Sequence, residues 1–291
     1  MAYASFDELL IAAAEHGSLG KAALACEASE SETPVAELRA RMGASLGVMR
    51  DAVEAGLAGR AKSLSGLVGG DAAKVLASQR GPLGGVFADV MAAALATGEV
   101  NAAMGRIVAA PTGGASGVLP AVLLMVGAEY DASESQLVDA LFAAAGIGAV
   151  IATRATLSGA EGGCQAEIGS GSAMAAAAAV ELAGGTPAEA GHAAALALQG
   201  QLGLVCDPVG GLVEIPCVFR NATGAAVALS AAEMALAGVA FPIPFDQVVD
   251  AMGLVGRSLP PSLRETALGG LAVTPCGREL AAQASADRTQ H

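Results

Sequence analysis

The stretch GCQAEIGSGSAMAAAAAVELAGG, residues 163–185, passes from a glycine-rich loop into a run of alanines. Alanine has the highest helix propensity, and its small side chain lets helix backbones approach closely. Glycine in the loop permits positive φ and close backbone approach, which ligand pockets often require. The stretch therefore predicts a tightly packed, buried helix that is entered through a loop carrying Cys164.

The same pattern extends over residues 101–230. This zone contains no lysine, and its fixed positive charges are Arg106, Arg154 and Arg220. Glycine-rich breaks interrupt its apolar segments at APTGGASG, EGGCQAEIGSGS and CDPVGG. Any single break of this kind is most often a helix C-cap. Three of them, two beside cysteines, favour a binding site between buried helices.

The composition of the whole chain narrows its class. Its 291 residues can bury a substantial core, and its net charge of −13 argues against nucleic acid, whose phosphates select Lys and Arg. The longest apolar run, residues 137–157, is interrupted by charges and falls short of the roughly 20 strongly apolar residues of a membrane helix. The N-terminus lacks a signal-peptide pattern. We expect a cytoplasmic protein with no membrane partner.

We expect one domain over residues 1–291, because no linker, short repeat or low-complexity tract divides the chain. Its expected regions are an N-terminal helical region (1–60), a cluster and substrate core (61–230) and C-terminal helices (231–291).

Local signals place the first helices. Ser5 followed by Glu8 predicts a capped start of the first helix, and Thr33-Pro34 is expected to start the second. We expect Cys26 to lie between helices, where it serves as a small hydrophobe.

The middle zone carries three of the five cysteines, Cys164, Cys206 and Cys217. Their spacing matches neither the C-x-x-C pairs of zinc ribbons nor the clustered runs of ferredoxins. Spacing alone leaves two interpretations open, a shared metal site and three buried free thiols. Each thiol lies in a loop rich in glycine or proline, where backbone can surround a bulky inorganic group, and this context favours the metal site.

Three long motifs resemble the α subunit of the iron–sulfur L-serine dehydratases, also called L-serine ammonia-lyases. They are GRIVAAPTGGASGVLPAVLL, GCQAEIGSGSAMAAAAAVELAGG and LGLVCDPVGGLVEIPCVFRNA, and they occur in the family's order. The segments SGLVGGDAAK and LRETALGGLAVTPCG resemble flanking parts of the family. The resemblance covers nearly the whole chain and implies an all-α fold, a compact bundle of Ala-rich helices, with which the periodicity agrees.

The resemblance also implies a cofactor and a reaction. A [4Fe-4S] cluster is expected on Cys164, Cys206 and Cys217, which leaves one iron without a protein ligand to act as a Lewis acid on the hydroxyl of L-serine. Elimination and hydrolysis then give pyruvate and ammonia, in amino-acid catabolism towards gluconeogenesis. A β subunit that closes the site is implied as well.

For the substrate we expect contacts from two glycine loops and one arginine. Backbone N–H groups, hydroxyls and a guanidinium all suit a carboxylate. The hydroxyls could instead be turn or cap residues, and the guanidinium could instead pair with Glu214 or Asp207. Glu167 and Asp207 are expected to bind the ammonium group or to orient the cluster loops. The predicted substrate-binding residues are Thr112, Gly113, Gly114, Ser116, Gly117, Ser170, Ser172 and Arg220.

The sequence does not identify a general base. His16, His192 and His291 all lie outside the motifs, and the resemblance points to the partner subunit as the source of that group. In fused single-chain relatives a cysteine at the extreme C-terminus can occupy the open iron position. Cys276 is followed by further residues, so the resemblance does not by itself carry this role over to it.

Two alternative functions fail on specific residues, and two others remain open. Pyridoxal phosphate chemistry needs a Schiff-base lysine, and Lys21, Lys62 and Lys74 all lie outside the glycine-rich middle zone. No P-loop motif occurs. An iron–sulfur L-cysteine desulfidase and a non-catalytic, cluster-bearing scaffold subunit both stay open, and turnover with a β subunit would separate them from the dehydratase.

Overall fold

The computed structural model describes residues 3–78 and 81–288, and these residues form helices joined by loops. They contain thirteen α-helices and no strand; one isolated bridge joins Cys206 to Arg264. The predicted all-α fold is confirmed. The expected single domain over residues 1–291 stays a prediction.

The first seven helices are α1 (Phe6–His16), α2 (Leu19–Glu30), α3 (Val35–Leu57), α4 (Asp71–Ala77), α5 (Val86–Ala102), α6 (Val118–Glu129) and α7 (Glu134–Arg154). The others are α8 (Gly159–Gly162), α9 (Ser170–Leu182), α10 (Pro187–Gln199), α11 (Cys217–Leu236), α12 (Phe245–Ser258) and α13 (Pro275–Arg288). A π-helical turn (Gln165–Gly169) leads into α9, and three 3-10 turns follow later in the chain (Val209–Gly211, Pro261–Leu263 and Gly270–Val273).

Helix α9 lies at the centre of the core. Every residue from 170 to 180 is buried, and the helix packs against α6, α7, α10 and α11. Its alanines make this possible, because a methyl side chain allows four neighbouring helices to approach one backbone. The buried helix predicted from the alanine run is confirmed, although it starts only after the π-helical turn.

Both predicted helix starts near the N-terminus are confirmed. The Ser5 hydroxyl accepts a hydrogen bond from the Glu8 amide at 3.2 Å and so caps α1. Helix α3 begins at Val35, directly after Pro34. Local capping signals were sufficient to place both.

The expectation that Cys26 lies between helices is wrong. Cys26 lies inside α2, which begins where the Ser18 hydroxyl accepts a hydrogen bond from the Lys21 amide at 3.3 Å. Gly20 lets α2 pack directly on α7, since a Cβ there would lie 2.8 Å from the Asp139 carbonyl carbon. Tertiary packing therefore supports a helix that the local pattern did not resolve.

Helix α7 includes residues 137–154 of the apolar run at residues 137–157. By length and composition it could cross a membrane, and 67% of its most apolar window is buried inside the structure. It packs chiefly against α9 and α2. Its apolar surface is thus largely covered by other helices of the chain.

Candidate functional site

Three segments of the chain carry the cysteines of residues 101–230. Cys164 follows the short helix α8 and precedes the π-helical turn, Cys206 lies in the loop after α10, and Cys217 is the first residue of α11. The last two are linked by the segment with the Gly-Gly turn, in which the Ile215–Pro216 peptide bond is cis. A helix start, a helix end and a loop therefore each supply one thiol.

The pKa values of all three thiols are raised, chiefly by burial. Burial raises the pKa of Cys164 to about 11. Burial first, and then the charges of Cys164 and Glu167, raises the pKa of Cys217 to about 12. The pKa of Cys206 is raised by burial and then by Glu167, Cys164 and Cys217. Cys206 therefore lies in the electrostatic field of both other thiols.

Glycines make the close approach of these loops possible. Gly163, directly before Cys164, has φ of 78°, in the region that favours glycine. A Cβ at Gly159 would contact the Glu167 carboxylate and lie 3.3 Å from the Cys206 Sγ. Any larger residue at these two positions would displace the groups around the thiols.

Arg220 and Asp207 form a buried ion pair beside the thiols. The Arg220 Nη2 lies 2.8 Å from the Asp207 Oδ1, and the two side chains are 16% and 3% exposed. Burial acts to lower the pKa of Arg220, but the charges of Cys164 and Asp207 outweigh it and hold that pKa above its usual value. Of the two ion-pair partners considered for Arg220, the structure selects Asp207; Glu214 instead accepts hydrogen bonds from Ser65.

A C-terminal segment, residues 263–271, holds the Cys206 loop in place. The Cys206 amide donates to the Leu263 carbonyl at 2.9 Å, and the Glu265 amide donates to the Cys206 carbonyl at 2.8 Å. The Leu271 amide donates to the Asp207 Oδ2 at 2.7 Å. From the sequence, this segment was identified only by its resemblance to a flanking part of the family. Main-chain hydrogen bonds do not depend on the type of side chain, so they cannot be predicted from residue types.

The glycine loop at residues 111–117 is tied to α11 by one asparagine. The Asn221 Nδ2 donates to the Gly114 carbonyl at 2.8 Å and to the Cys217 carbonyl at 2.9 Å. Its Oδ1 accepts from the Gly117 amide at 2.8 Å. The sequence analysis missed Asn221; a buried amide in an Ala-rich helix, four residues after Cys217, was the available signal.

The predicted substrate hydroxyls fall into three groups. Thr112 Oγ1 donates to the Glu167 Oε1 at 2.8 Å. Ser172 is enclosed: its hydroxyl contacts two main-chain carbonyls and accepts from the Gln201 Nε2 at 2.7 Å. Ser116 and Ser170 are fully buried, and their hydroxyls have no partner in the described structure. Only these last two keep their hydrogen-bonding capacity free for another group.

A cavity of about 600 Å³ opens beside the glycine loop. Gly113 and Gly114 line it together with the carboxylates of Glu167, Glu214 and Glu265, and the described lining includes no Lys, Arg or His. Burial, more than any other effect, raises the pKa of Glu167. The rim includes the exposed apolar side chains of Leu64, Met104 and Val213.

Residues 14–272, which contain the three converging cysteines and the glycine loop, match the family described as Serine dehydratase alpha chain. The chain belongs to the serine dehydratase alpha chain family. The match spans both the cysteine loops and the segment at residues 263–271 that pairs with Cys206.

Several relatives in this family cover most of the chain. A probable L-serine dehydratase, alpha chain, from Bacillus subtilis is 50% identical over 260 residues, which are 88% of this chain and 86% of that protein. An L-serine dehydratase, alpha chain, from Peptoniphilus asaccharolyticus is 52% identical over 68% of each chain. An L-serine dehydratase from Streptomyces coelicolor is 39% identical over 92% of this chain but only 60% of its own length.

The histidines and cysteines that lie outside the matched motifs belong, where the structure describes them, to other helices. His16 is exposed at the end of α1, and His192 lies in α10. His291 lies outside the described residues. Cys276 is exposed near the start of α13.

Proposed function

We propose that this chain is the α subunit of an L-serine dehydratase, which converts L-serine to pyruvate and ammonia. The observation that carries the proposal is the convergence of three cysteines beside a glycine loop and a cavity. It occurs in a chain 50% identical to a probable L-serine dehydratase, alpha chain, over most of both lengths.

The cysteines suit a [4Fe-4S] cluster better than a single metal ion. Among the residues described, no three or more Cys, His, Asp or Glu side chains are placed to bind one ion together. The charges of Cys164 and Cys217 nevertheless act on Cys206, so the three thiols lie in one neighbourhood. Soft thiolates around a space larger than one ion are typical of an iron–sulfur site.

Cys164, Cys206 and Cys217 would therefore hold the cluster. When bound, the cluster supplies an iron without a protein ligand, which can act as a Lewis acid on a hydroxyl. Because metal is bound by thiolates, binding releases the protons that burial holds on these thiols. Gly159 supports the proposal, since any side chain there would fill the space next to Cys206.

The chain's own polar groups would orient the amino acid. We assign the substrate carboxylate to the loop of Thr112, Gly113, Gly114, Ser116 and Gly117, whose fold is fixed through Asn221. The unpartnered hydroxyls of Ser116 and Ser170 have free hydrogen-bonding capacity. The Glu167 carboxylate, at the cavity wall, suits the substrate ammonium.

Two residues of the predicted substrate set have other partners. The hydroxyl of Ser172 is engaged within the protein, and Arg220 pairs with Asp207. Contact of Ser172 and Arg220 with the substrate therefore stays a prediction. The free hydroxyls of Ser116 and Ser170 are better supported as substrate contacts.

A β subunit would complete the site. The described lining of the cavity presents three carboxylates and no cation, so a bound carboxylate needs positive charge or hydrogen-bond donors from elsewhere. The exposed Leu64, Met104 and Val213 at its rim give such a partner apolar area to cover. We assign the general base to the same partner, and we place the enzyme in the cytoplasm, in serine catabolism.

The test is anaerobic reconstitution with iron and sulfide, followed by turnover assays with the β subunit present. We expect about four irons per chain, pyruvate from L-serine, and no sulfide release from L-cysteine at a comparable rate. Cys217→Ala should abolish both the cluster and pyruvate formation, whereas the matched variant of the exposed Cys276, Cys276→Ala, should leave both unchanged.

Each other outcome removes a specific part of the proposal. Sulfide release from L-cysteine without pyruvate from L-serine would replace the dehydratase with a desulfidase. A cluster without turnover of either amino acid would leave a scaffold subunit. Failure of wild-type chain to bind iron would remove the three-cysteine site itself.

A further inference from the structure

Arg220 links the helix that starts at Cys217 to the loop of Cys206 with one side chain. It lies in α11 three residues after Cys217, which puts the two on neighbouring positions of the same helix face. Its Nη1 donates to the Val205 carbonyl at 2.8 Å, and its Nη2 pairs with Asp207 at 2.8 Å. These two residues flank Cys206 on either side.

The same guanidinium also acts on the third segment. The positive charge of Arg220 acts on the Cys164 thiol and lowers its pKa against the effect of burial. One planar group with five donors therefore joins the start of α11 to the Cys206 loop, within electrostatic range of Cys164. Such a fork can hold several acceptors in fixed directions, which a lysine ammonium cannot do.

The burial of this pair has an energetic cost that needs an explanation. Removing both charges from water costs several kcal/mol per ion in a typical interior, and an apolar pair of similar volume is often at least as stable. Arg154 shows the ordinary alternative: it pairs with Asp250 at 2.6 Å where the side chains are 27% and 45% exposed. The position of Arg220 is thus better explained by what it orients than by stability.

We propose that Arg220 is a positioning residue that assembles the three cysteine segments for the cluster. This inference rests on the proposed cluster site. Asp207 fixes the direction of the guanidinium and is itself held by the Leu271 amide. The fork then sets the separation of the three segments, and its positive charge offsets the negative charge of thiolate ligands.

The experiment compares Arg220→Lys, which keeps the charge but loses the fork, with Arg220→Gln and with the surface control Arg154→Gln. After anaerobic reconstitution, iron release to a chelator should be roughly 10- to 100-fold faster in both Arg220 variants than in wild-type chain, the range typical of groups that orient metal ligands. The EPR spectrum of the reduced cluster should change in Arg220→Lys. Arg154→Gln should match wild type in both measurements.

A measurement on metal-free chain separates positioning from a general loss of fold. Hydrogen exchange of residues 203–209 should accelerate in Arg220→Lys while that of α9 stays at the wild-type rate. Equal iron release and equal EPR spectra for Arg220→Lys and wild type would overturn the inference, because charge alone would then suffice. Equal acceleration of exchange in α9 would also overturn it. A wild-type chain that binds no iron would instead overturn the proposed function.

Discussion

The Ala-rich core and the glycine loops at its edge use small residues for opposite purposes. Around α9, residues 173–180 are buried apolar groups that let helices approach closely. At the loops, the same lack of side-chain bulk brings thiols, two unpartnered serine hydroxyls and an ion pair into the interior. Buried polar groups without partners cost free energy.

The two regions therefore contribute differently to the free energy of unfolding. The core contributes the favourable burial, and the site contains the groups whose arrangement is costly. Changes in the core should therefore reduce the free energy of unfolding without altering iron binding per folded chain. Changes in the site should alter iron binding whatever they do to stability.

The largest expected effect on stability comes from breaking the buried ion pair. Asp207→Ala leaves the guanidinium of Arg220 buried without its charge partner. This should reduce the free energy of unfolding by about 3–5 kcal/mol. Chemical denaturation of the metal-free protein, under anaerobic conditions, measures this cost. Iron retention in the folded fraction should also fall.

The control for that change is Asp207→Asn, which keeps an oxygen able to accept from the Leu271 amide. It should destabilise the protein less than Asp207→Ala. Equal stabilities of wild type and Asp207→Ala would mean that water replaces the lost carboxylate, and the site would then be less enclosed than the burial of Asp207 indicates.

A loss of stability that is similar or somewhat smaller is expected from the core, without an effect on the site. Ile147 in α7 is fully buried, and Ile147→Ala should cost about 2–5 kcal/mol because it removes apolar contacts and leaves a cavity. Denaturant unfolding measures the loss, and iron per folded chain should equal that of wild type. A drop in iron content as large as that of a site variant would contradict the division between the two regions.

The smallest expected effect is a pH dependence from a carboxylate outside the site. Burial raises the pKa of Glu181, whose Oε1 accepts from the Gly20 amide at 3.4 Å. The folded state thus holds a proton more tightly than the unfolded state does, so this group's contribution to stability is lost as the pH rises above the ordinary glutamate pKa. As the pH rises from the ordinary glutamate pKa through the raised pKa of Glu181, the free energy of unfolding of wild type should fall relative to that of Glu181→Gln.

A second glutamate offers a control of opposite sign. Hydrogen bonds from Thr186 lower the pKa of Glu189, which caps α10. Its contribution is present above the ordinary glutamate pKa and is lost as the pH falls through the lowered value. Wild type should therefore gain stability over Glu189→Gln as the pH rises. If the difference in unfolding free energy changed with pH in the same direction for Glu181→Gln and for Glu189→Gln, the opposite pKa shifts of the two glutamates would be contradicted.

Much of the fold could be predicted from local sequence, because local chemistry determines it. The alanine run predicted a buried helix, and Ser5 and Pro34 placed two helix starts. Helix α2 was not resolved, and Cys26 was misplaced, since α2 depends on Gly20 packing against α7. Propensity carries no information about such distant contacts.

The site was predictable only in part, for the same reason. The motifs and their family resemblance led to the three cysteines and the glycine loop. They could not show that Arg220 pairs with Asp207, that Asn221 ties the glycine loop to Cys217, or that residues 263–271 pair with the Cys206 backbone. Each of these contacts joins positions far apart in the chain or depends on main-chain atoms, whose chemistry is the same in every residue.

The main-chain pairing of Cys206 with residues 263–265 also bears on how the protein is made. Synthesis runs from the N-terminus, so all three cysteines leave the ribosome before the segment that fixes Cys206 does. We expect nascent chains that end before residue 263 to retain less iron than chains that extend past residue 271, which affinity-purified stalled ribosomes can test. The proposed cluster site would therefore be complete only after residues 263–271 have left the ribosome.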